Sequence, residues 1–238
     1  LASSMLYHDD HLAPRAAEIG RQALDTFRVH NQPNWEAATL TILGYALWVD
    51  GQHAAAFDRF CEAQTLSEQV GELLFVPELL AYQGLAQLGL GQPAYALTLT
   101  RQAVTFMAQG DVSDEVVPEI YTAHAMALAA NEQEKQARGY LMQAYQHLLD
   151  GAAQLEDEMA RQAFFHRNPT LRLLMKELHT YGIAPPAGQG VQSIRLAAIR
   201  GSGPLRVEWT VDAGPADAAL KRAKGAIALR RARLVRLL

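Results

Sequence analysis

The side chains best suited to chemistry in this sequence are few, and none stands in an arrangement that performs it. Tyr7-His8-Asp9-Asp10-His11 brings together histidines and carboxylates, types that can converge on a metal ion. It occupies, however, the place of an inter-helix turn, equivalent to Trp48-Val49-Asp50-Gly51, and reads as a solvated turn. Cys61 would need a base beside it and a lowered pKa to act as a nucleophile, and no nearby histidine can be argued. Gly89-Leu90-Gly91 and Gly201-Ser202-Gly203 lack the Gly-Lys-Ser/Thr ending that grips phosphate. His30, His53, His124, His147, His166 and His179 are scattered, with no triad or zinc spacing. No catalytic residue, metal site or cofactor is expected, and the chain reads as a non-enzyme.

A row of cations is the next candidate. Lys221, Arg222, Lys224, Arg230, Arg231, Arg233 and Arg236 lie on a helix expected from Pro215-Ala216 to Leu238, and nothing acidic follows Asp217. Such a row can neutralise phosphates and so bind nucleic acid without reading its sequence. The competing reading, favoured here, is a solvated face whose opposite side, Ile227, Leu234 and Leu238, packs on a further domain. The net charge of −4 hides this asymmetry. Residues 191–238 hold ten Arg or Lys and three Asp or Glu, whereas residues 1–190 hold eleven and twenty-two. A split of that kind implies two units with different partners.

The elements that position these groups follow from a repeat. Half of the chain is apolar but only 8% is aromatic, the profile of closely packed helices. Gly51-Gln52 is followed by Ala56, Phe60 and Ala63, and forty residues later Gly91-Gln92 is followed by Ala96, Thr100 and Ala103. Asn131 precedes Ala137, Leu141 and Ala144, and Asp10-His11 precedes Ala16, Gly20 and Ala23. The preceding helix carries its own marker, Leu43-Gly44, Gln83-Gly84 and His124-Ala125. Small residues recur where two helices cross closely, and neither helix of a pair can bury its apolar stripe alone, so pairs must stack. Pro77 and Pro118 stand near the starts of first helices, where a missing N–H costs nothing. Turns are thus expected near 10, 51, 91 and 131, with a closing helix pair over 152–181 split near Asn168-Pro169.

Gly182 to Gly190, with Pro185-Pro186, reads as a linker, and residues 191–238 as a partial α+β segment leading to a further domain. There Val207, Trp209 and Val211 alternate with polar residues as in a strand, and Ser193 to Ile199 is its expected partner in a small hairpin. The single cysteine fits a reducing, cytoplasmic compartment, and no apolar run approaches the ~20 residues of a membrane span. Leu1 to Tyr7 aligns with the end of a first helix, so the sequence reads as a piece of a longer protein.

Leu43-Gly44, Tyr45, Ala56, Phe60 and Ala63 resemble the tetratricopeptide repeat, here in a long form of about forty residues. HEAT-like repeats share the period but account less well for the glycine and alanine positions. The resemblance implies an all-α, right-handed superhelical array of antiparallel helix pairs, with the hairpin and basic helix appended. Trp209-Thr210-Val211-Asp212-Ala213-Gly214 and Ala228-Leu229-Arg230-Arg231 resemble the tail of large bacterial ATPase–repeat transcriptional regulators. By the same resemblance, first helices line a concave groove in which polar and aromatic residues contact a protein, a peptide or a small effector. Carried over by phase, these are Thr41, Tyr45 and Trp48, then Glu78 and Tyr82, then Glu119, Thr122 and Met126. The expected function is an interaction scaffold, the sensor arm of a larger regulator that also engages its own neighbouring domains. The alternative is a nucleic-acid-associated segment acting through the basic tail.

Overall fold

The computed structural model describes residues 2, 10–110, 112–155, 164–165, 169–183, 194–199 and 206–211. The chain divides into two compact units, Leu1–Ile183 and Ala184–Leu238. The described part of the first is all-helical: α1 (Ala13–Val29), α2 (Pro33–Val49), α3 (His53–Val70), α4 (Val76–Gly89), α5 (Pro93–Met107), α6 (Val117–Ala130), α7 (Glu134–Ala153) and α8 (Pro169–Thr180). No described helix is long and apolar enough to cross a membrane. In the second unit the described residues form two antiparallel strands, β1 (Ile194–Ile199) and β2 (Arg206–Val211), with Ile194 opposite Val211 and Ile199 opposite Arg206.

The helices pair in sequence, α2 with α3, α4 with α5 and α6 with α7, and α4 also packs on α2 and α6. The first helices therefore form one layer, and each pair is closed by the same local chemistry. Gln52, Gln92 and Gln133 each donate their backbone N–H to a carbonyl five residues back, Leu47, Gln87 and Leu128, all at 2.9 Å. This is the Schellman closure, which satisfies carbonyls that a helix end leaves without partners. It requires a left-handed residue before each glutamine, supplied by Gly51, Gly91 and Glu132. Asn131 then ties one pair to the next, donating from its amide to the Pro93 carbonyl at 2.8 Å and the Ala127 carbonyl at 2.7 Å.

Within pairs, the crossing points are set by missing side chains. A Cβ on Gly44 would lie 2.7 Å from the Phe60 ring, and one on Gly84 would lie 2.4 Å from Thr100 Cγ2. Phe60 and Thr100 are fully buried, so each glycine lets its helix backbone rest directly on the second helix of its own pair. Ala56, Phe60, Ala63, Ala96, Thr100, Ala103, Ala137, Leu141 and Ala144 are all buried, as the repeated i, i+4, i+7 face requires. The first helices differ from the second in being buried on more than one side. From Val76 to Gln87, α4 has eleven buried residues, and only Glu78 in that stretch is partly exposed. A helix apolar all round is one enclosed by neighbours.

Of the two closing helices expected over 152–181, the second is α8. Most of the preceding segment lies outside the described residues, and α7 itself runs on to Ala153. Phe165 is buried and its ring faces that of Tyr145 on α7, 6.5 Å away between centroids. The expected linker lies, from 184 onward, outside the described residues, as does the expected basic helix from Pro215.

Candidate functional site

Tyr45, Tyr82 and Glu119, drawn from α2, α4 and α6, meet in one place. The Tyr45 and Tyr82 rings lie 4.8 Å apart between centroids, and the Phe60 ring backs Tyr82 at 5.4 Å. The Tyr82 hydroxyl oxygen is 2.7 Å from Glu78 Oε1 and 2.5 Å from Glu119 Oε2. A phenol has one proton to donate, so two carboxyl oxygens on one phenol oxygen compete for it. Burial raises the Glu78 pKa above the ordinary carboxyl value, against the opposing effect of the Tyr82 hydrogen bond. The Tyr82 hydroxyl proton is thus shared between the two carboxyls, Glu78 Oε1 and Glu119 Oε2. Burial, with the charge of Glu119 second, likewise pushes both phenols well above their usual value, so both stay neutral.

The Tyr45 hydroxyl is engaged by α8. Its oxygen accepts the Thr170 backbone N–H at 2.8 Å, and the hydroxyl also forms a short hydrogen bond with the Thr170 side chain. Thr170 is the second residue of α8, so its N–H is among those that a helix start leaves without a helical acceptor. Pro169, Thr170, Leu171, Leu174 and Leu178 are the buried residues of α8, and Leu173 packs against the core made by the earlier pairs. The helix packs on α6 and α7, and Arg138 of α7 donates to the Tyr181 carbonyl at 3.4 Å. This helix therefore lies on the third pair, with its N-terminal end reaching Tyr45 of α2.

Tyr45, Tyr82, Glu119 and Thr122 are buried, while Thr41, Trp48, Glu78 and Met126 are partly exposed. Thr41 and Thr122 donate their hydroxyls to carbonyls of their own helices, Ala37 at 3.0 Å and Pro118 at 2.6 Å. Trp48 stacks on Tyr45 at 5.5 Å, and Met126 packs against the core. The structure thus brings together Tyr45, Trp48, Glu78, Tyr82 and Glu119. Lys221, Arg222, Lys224, Arg230, Arg231, Arg233 and Arg236 lie outside the described residues. Thr170 is not among the residues that the sequence singles out. The only sign of its role there is its place after Pro169, at the head of the Leu171, Leu174, Leu178 stripe.

Elsewhere, His124 is buried, its Nδ1 3.0 Å from Thr100 Oγ1 and its ring 4.6 Å from that of Tyr140. Burial, helped by the charge of Arg101, lowers its pKa to about 4, so it is neutral. Burial and Asp58 push the Cys61 thiol up, which disfavours a thiolate. Among the described residues no three His, Cys, Asp or Glu side chains are grouped as metal ligands. A cleft of about 550 Å³ opens between α3 and α5 over Val76 and Leu80 of α4, lined by polar groups such as Gln64, Glu68, Arg101 and Gln102. It contains none of the residues that the sequence singled out.

Fold and site together define, among the described residues of the first unit, an all-helical array of repeat type with tyrosines and carboxyls gathered between its first helices. No family model matches the chain, and no curated protein matches it.

Proposed function

We propose that this chain is a non-catalytic binding scaffold: a long-form tetratricopeptide array, right-handed in its superhelix, that takes a peptide or protein on the inner face of its first helices. The reading includes the larger setting suggested by the sequence, the sensor arm of a cytoplasmic bacterial regulator. The observation that carries it is the engagement of α8 by Tyr45. Aromatic and acidic side chains from α2, α4 and α6 converge on one surface, and that surface holds a helical segment by its N-terminal end. Rigid tyrosines at the centre of an apolar patch are the residue type that dominates binding surfaces.

The test is selection of random helical peptides against the full chain. Enriched sequences should bind it, and Tyr82→Phe or Glu119→Gln should weaken that binding at least fivefold. Failure to enrich any sequence, or binding that ignores both substitutions, overturns the reading.

The charge asymmetry favours a second reading, in which the basic tail contacts nucleic acid. Its test is fluorescence anisotropy with duplex DNA over a salt series, on the full chain and on a chain ending at Gly190. Affinity that falls steeply with salt, by a logarithmic slope of about −0.9 for each phosphate contacted, and that disappears on truncation supports it.

A further inference from the structure

Six of the nine large apolar side chains left exposed among the described residues lie on one edge of the array. Each helix from α1 to α7 packs on the next, and helices joined by short turns run antiparallel. The turns that lead into α2, α4 and α6 therefore share an edge, and the Schellman turns lie on the opposite one. Val29 and Trp35 flank the first of these turns, Leu73, Leu74 and Phe75 form the second, and Phe106 precedes the third. Single exposed apolar residues need no explanation, whereas three in a row do. Leu73–Phe75 is a turn of 3-10 helix without a buried residue, its side chains 49%, 62% and 51% exposed. Phe106 lines the same cleft as Val76, the residue that follows this crest.

The charges of this edge select its partner. Over residues 26–36, 67–78 and 104–119 the sequence has eight Asp or Glu, and Arg28 is its only Arg or Lys. Arg28 is already held by Glu36 and Glu62. Glu68, Glu72, Asp114 and Glu115 are exposed or partly exposed. Glu68 is fixed in place: Gln64 donates to its Oε1 at 2.7 Å, and buried Gln83 donates to Gln64 Oε1 at 2.7 Å. Arg101, the cation on the cleft wall, stands five residues before Phe106, deeper along α5. An acidic edge repels phosphate, so neither an anionic bilayer nor nucleic acid suits it. Apolar side chains set between lysines or arginines do.

The spacing of the turns suits a helix. First helices packed side by side lie about 10 Å apart. Positions i and i+7 of a helix are about 10.5 Å apart along its axis. A helix laid across the edge thus meets Trp35 and the Leu73–Phe75 crest with two anchors on one face. Sheet extension has no template, since the described residues of this unit are all helical.

We infer that this turn edge is a docking surface for a basic amphipathic helix of a partner protein, with leucine or phenylalanine anchors seven residues apart and lysine or arginine between them. The surface is separate from the inner face of the first helices and does not depend on that face binding anything.

The probe is a labelled two-heptad peptide of leucine and lysine at helical spacing, followed by fluorescence anisotropy with the full chain. Leu74→Ser together with Phe75→Ser should weaken its binding at least tenfold. Glu68→Gln together with Glu72→Gln should weaken it at least threefold and flatten its salt dependence. Leu90→Ser, on the opposite edge, should change nothing, and a peptide with glutamate for every lysine should bind at least tenfold more weakly. If the double crest variant melts early, Leu74→Ser alone decides, with at least a threefold loss expected. Absence of binding, binding that ignores the crest, or an acidic peptide held equally well overturns the inference. So does capture of the chain by phosphatidylserine vesicles through Leu74 and Phe75, which makes the edge a membrane anchor. Binding that responds to Tyr82→Phe and not to Leu74→Ser belongs to the inner face, so it overturns this inference and leaves the scaffold reading standing.

Discussion

The phenolic oxygen of Tyr45 accepts the backbone N–H of Thr170 at 2.8 Å, so a side chain in the first described helix pair caps the last described helix. Helix starts are usually capped by a residue adjacent in sequence, through a short side chain such as Ser, Thr, Asn or Asp. A cap supplied from another element makes the formation of α8 conditional on the surface beneath it. The two structures are then coupled: removing the Tyr45 hydroxyl acts on α8, whereas its ring packs on Tyr82 of α4.

Replacing Tyr45 with Phe keeps the ring and its packing on Tyr82 and Trp48 but removes the cap. The Thr170 N–H and hydroxyl are left buried without that partner, a cost of about 1–3 kcal/mol. For a domain of this size each kcal/mol lowers the melting temperature by about 2–4 °C. Calorimetry should show that decrease, and hydrogen exchange should localise it to 169–181. A uniform loss of protection across α2 to α7 would mean that the hydroxyl supports the whole array and not α8 in particular.

Much of the helical layer was legible because its information is local and periodic. Ala56, Phe60 and Ala63 state by spacing alone that one face is buried, and Gly44 and Gly84 mark the places where helices cross. Positions on the first helices were harder to assign. An enclosed helix such as α4 has no polar side to set its phase, so Tyr82 reads equally well as core or as groove. The structure makes it buried and hydrogen-bonded at once. The contact with Thr170 could not be read at all, since it spans 125 residues and obeys no forty-residue period.

Gly84→Ala tests the crossing of α4 and α5. The new methyl would lie 2.4 Å from Thr100 Cγ2 and 3.3 Å from the Ala96 carbonyl oxygen. Neither neighbour is the end of a long side chain that can swing away, so the helices must separate, at about 1–3 kcal/mol. Thr100→Ser removes the closer atom and keeps the hydroxyl that faces His124. In denaturant melts the double variant should therefore recover part of the loss. If Gly84→Ala is neutral, the close approach is not a constraint of the fold.

His124 sets a lower pH limit. Its folded pKa of about 4 lies below its ordinary value of 6.5. Between those values the unfolded chain binds a proton that the folded chain refuses, so stability falls as pH drops from 6.5 toward 4. The full effect is roughly 3 kcal/mol, since each tenfold loss of proton affinity on folding is worth about 1.4 kcal/mol. Urea midpoints measured across this window should decline for the unaltered chain and decline less for His124→Gln. Equal slopes would show that His124 is not the group responsible.

The Glu78–Tyr82–Glu119 cluster acts in the opposite sense. A carboxyl whose folded pKa is raised stabilises the fold fully below its unfolded value of about 4.3, and that contribution is lost as pH rises through the folded value. At neutral pH the array therefore bears the strain of a buried proton or a buried charge beside Glu119. Glu78→Gln removes the choice. The amide donates to the Tyr82 oxygen as the protonated carboxyl would, Tyr82 still donates to Glu119, and no proton need be gained or lost. The variant should be at least as stable as the unaltered chain at pH 7, and its urea midpoint should fall less as pH rises above about 4.3. Glu119→Gln differs, because it replaces the charged acceptor of the Tyr82 proton with a weaker neutral amide oxygen and removes the charge that acts on the Tyr45 phenol, so it should lower stability at pH 7 and lower protection in 169–181. If the two glutamine variants behave alike, the proton does not reside on Glu78, and the order of donors through Tyr82 must be reversed.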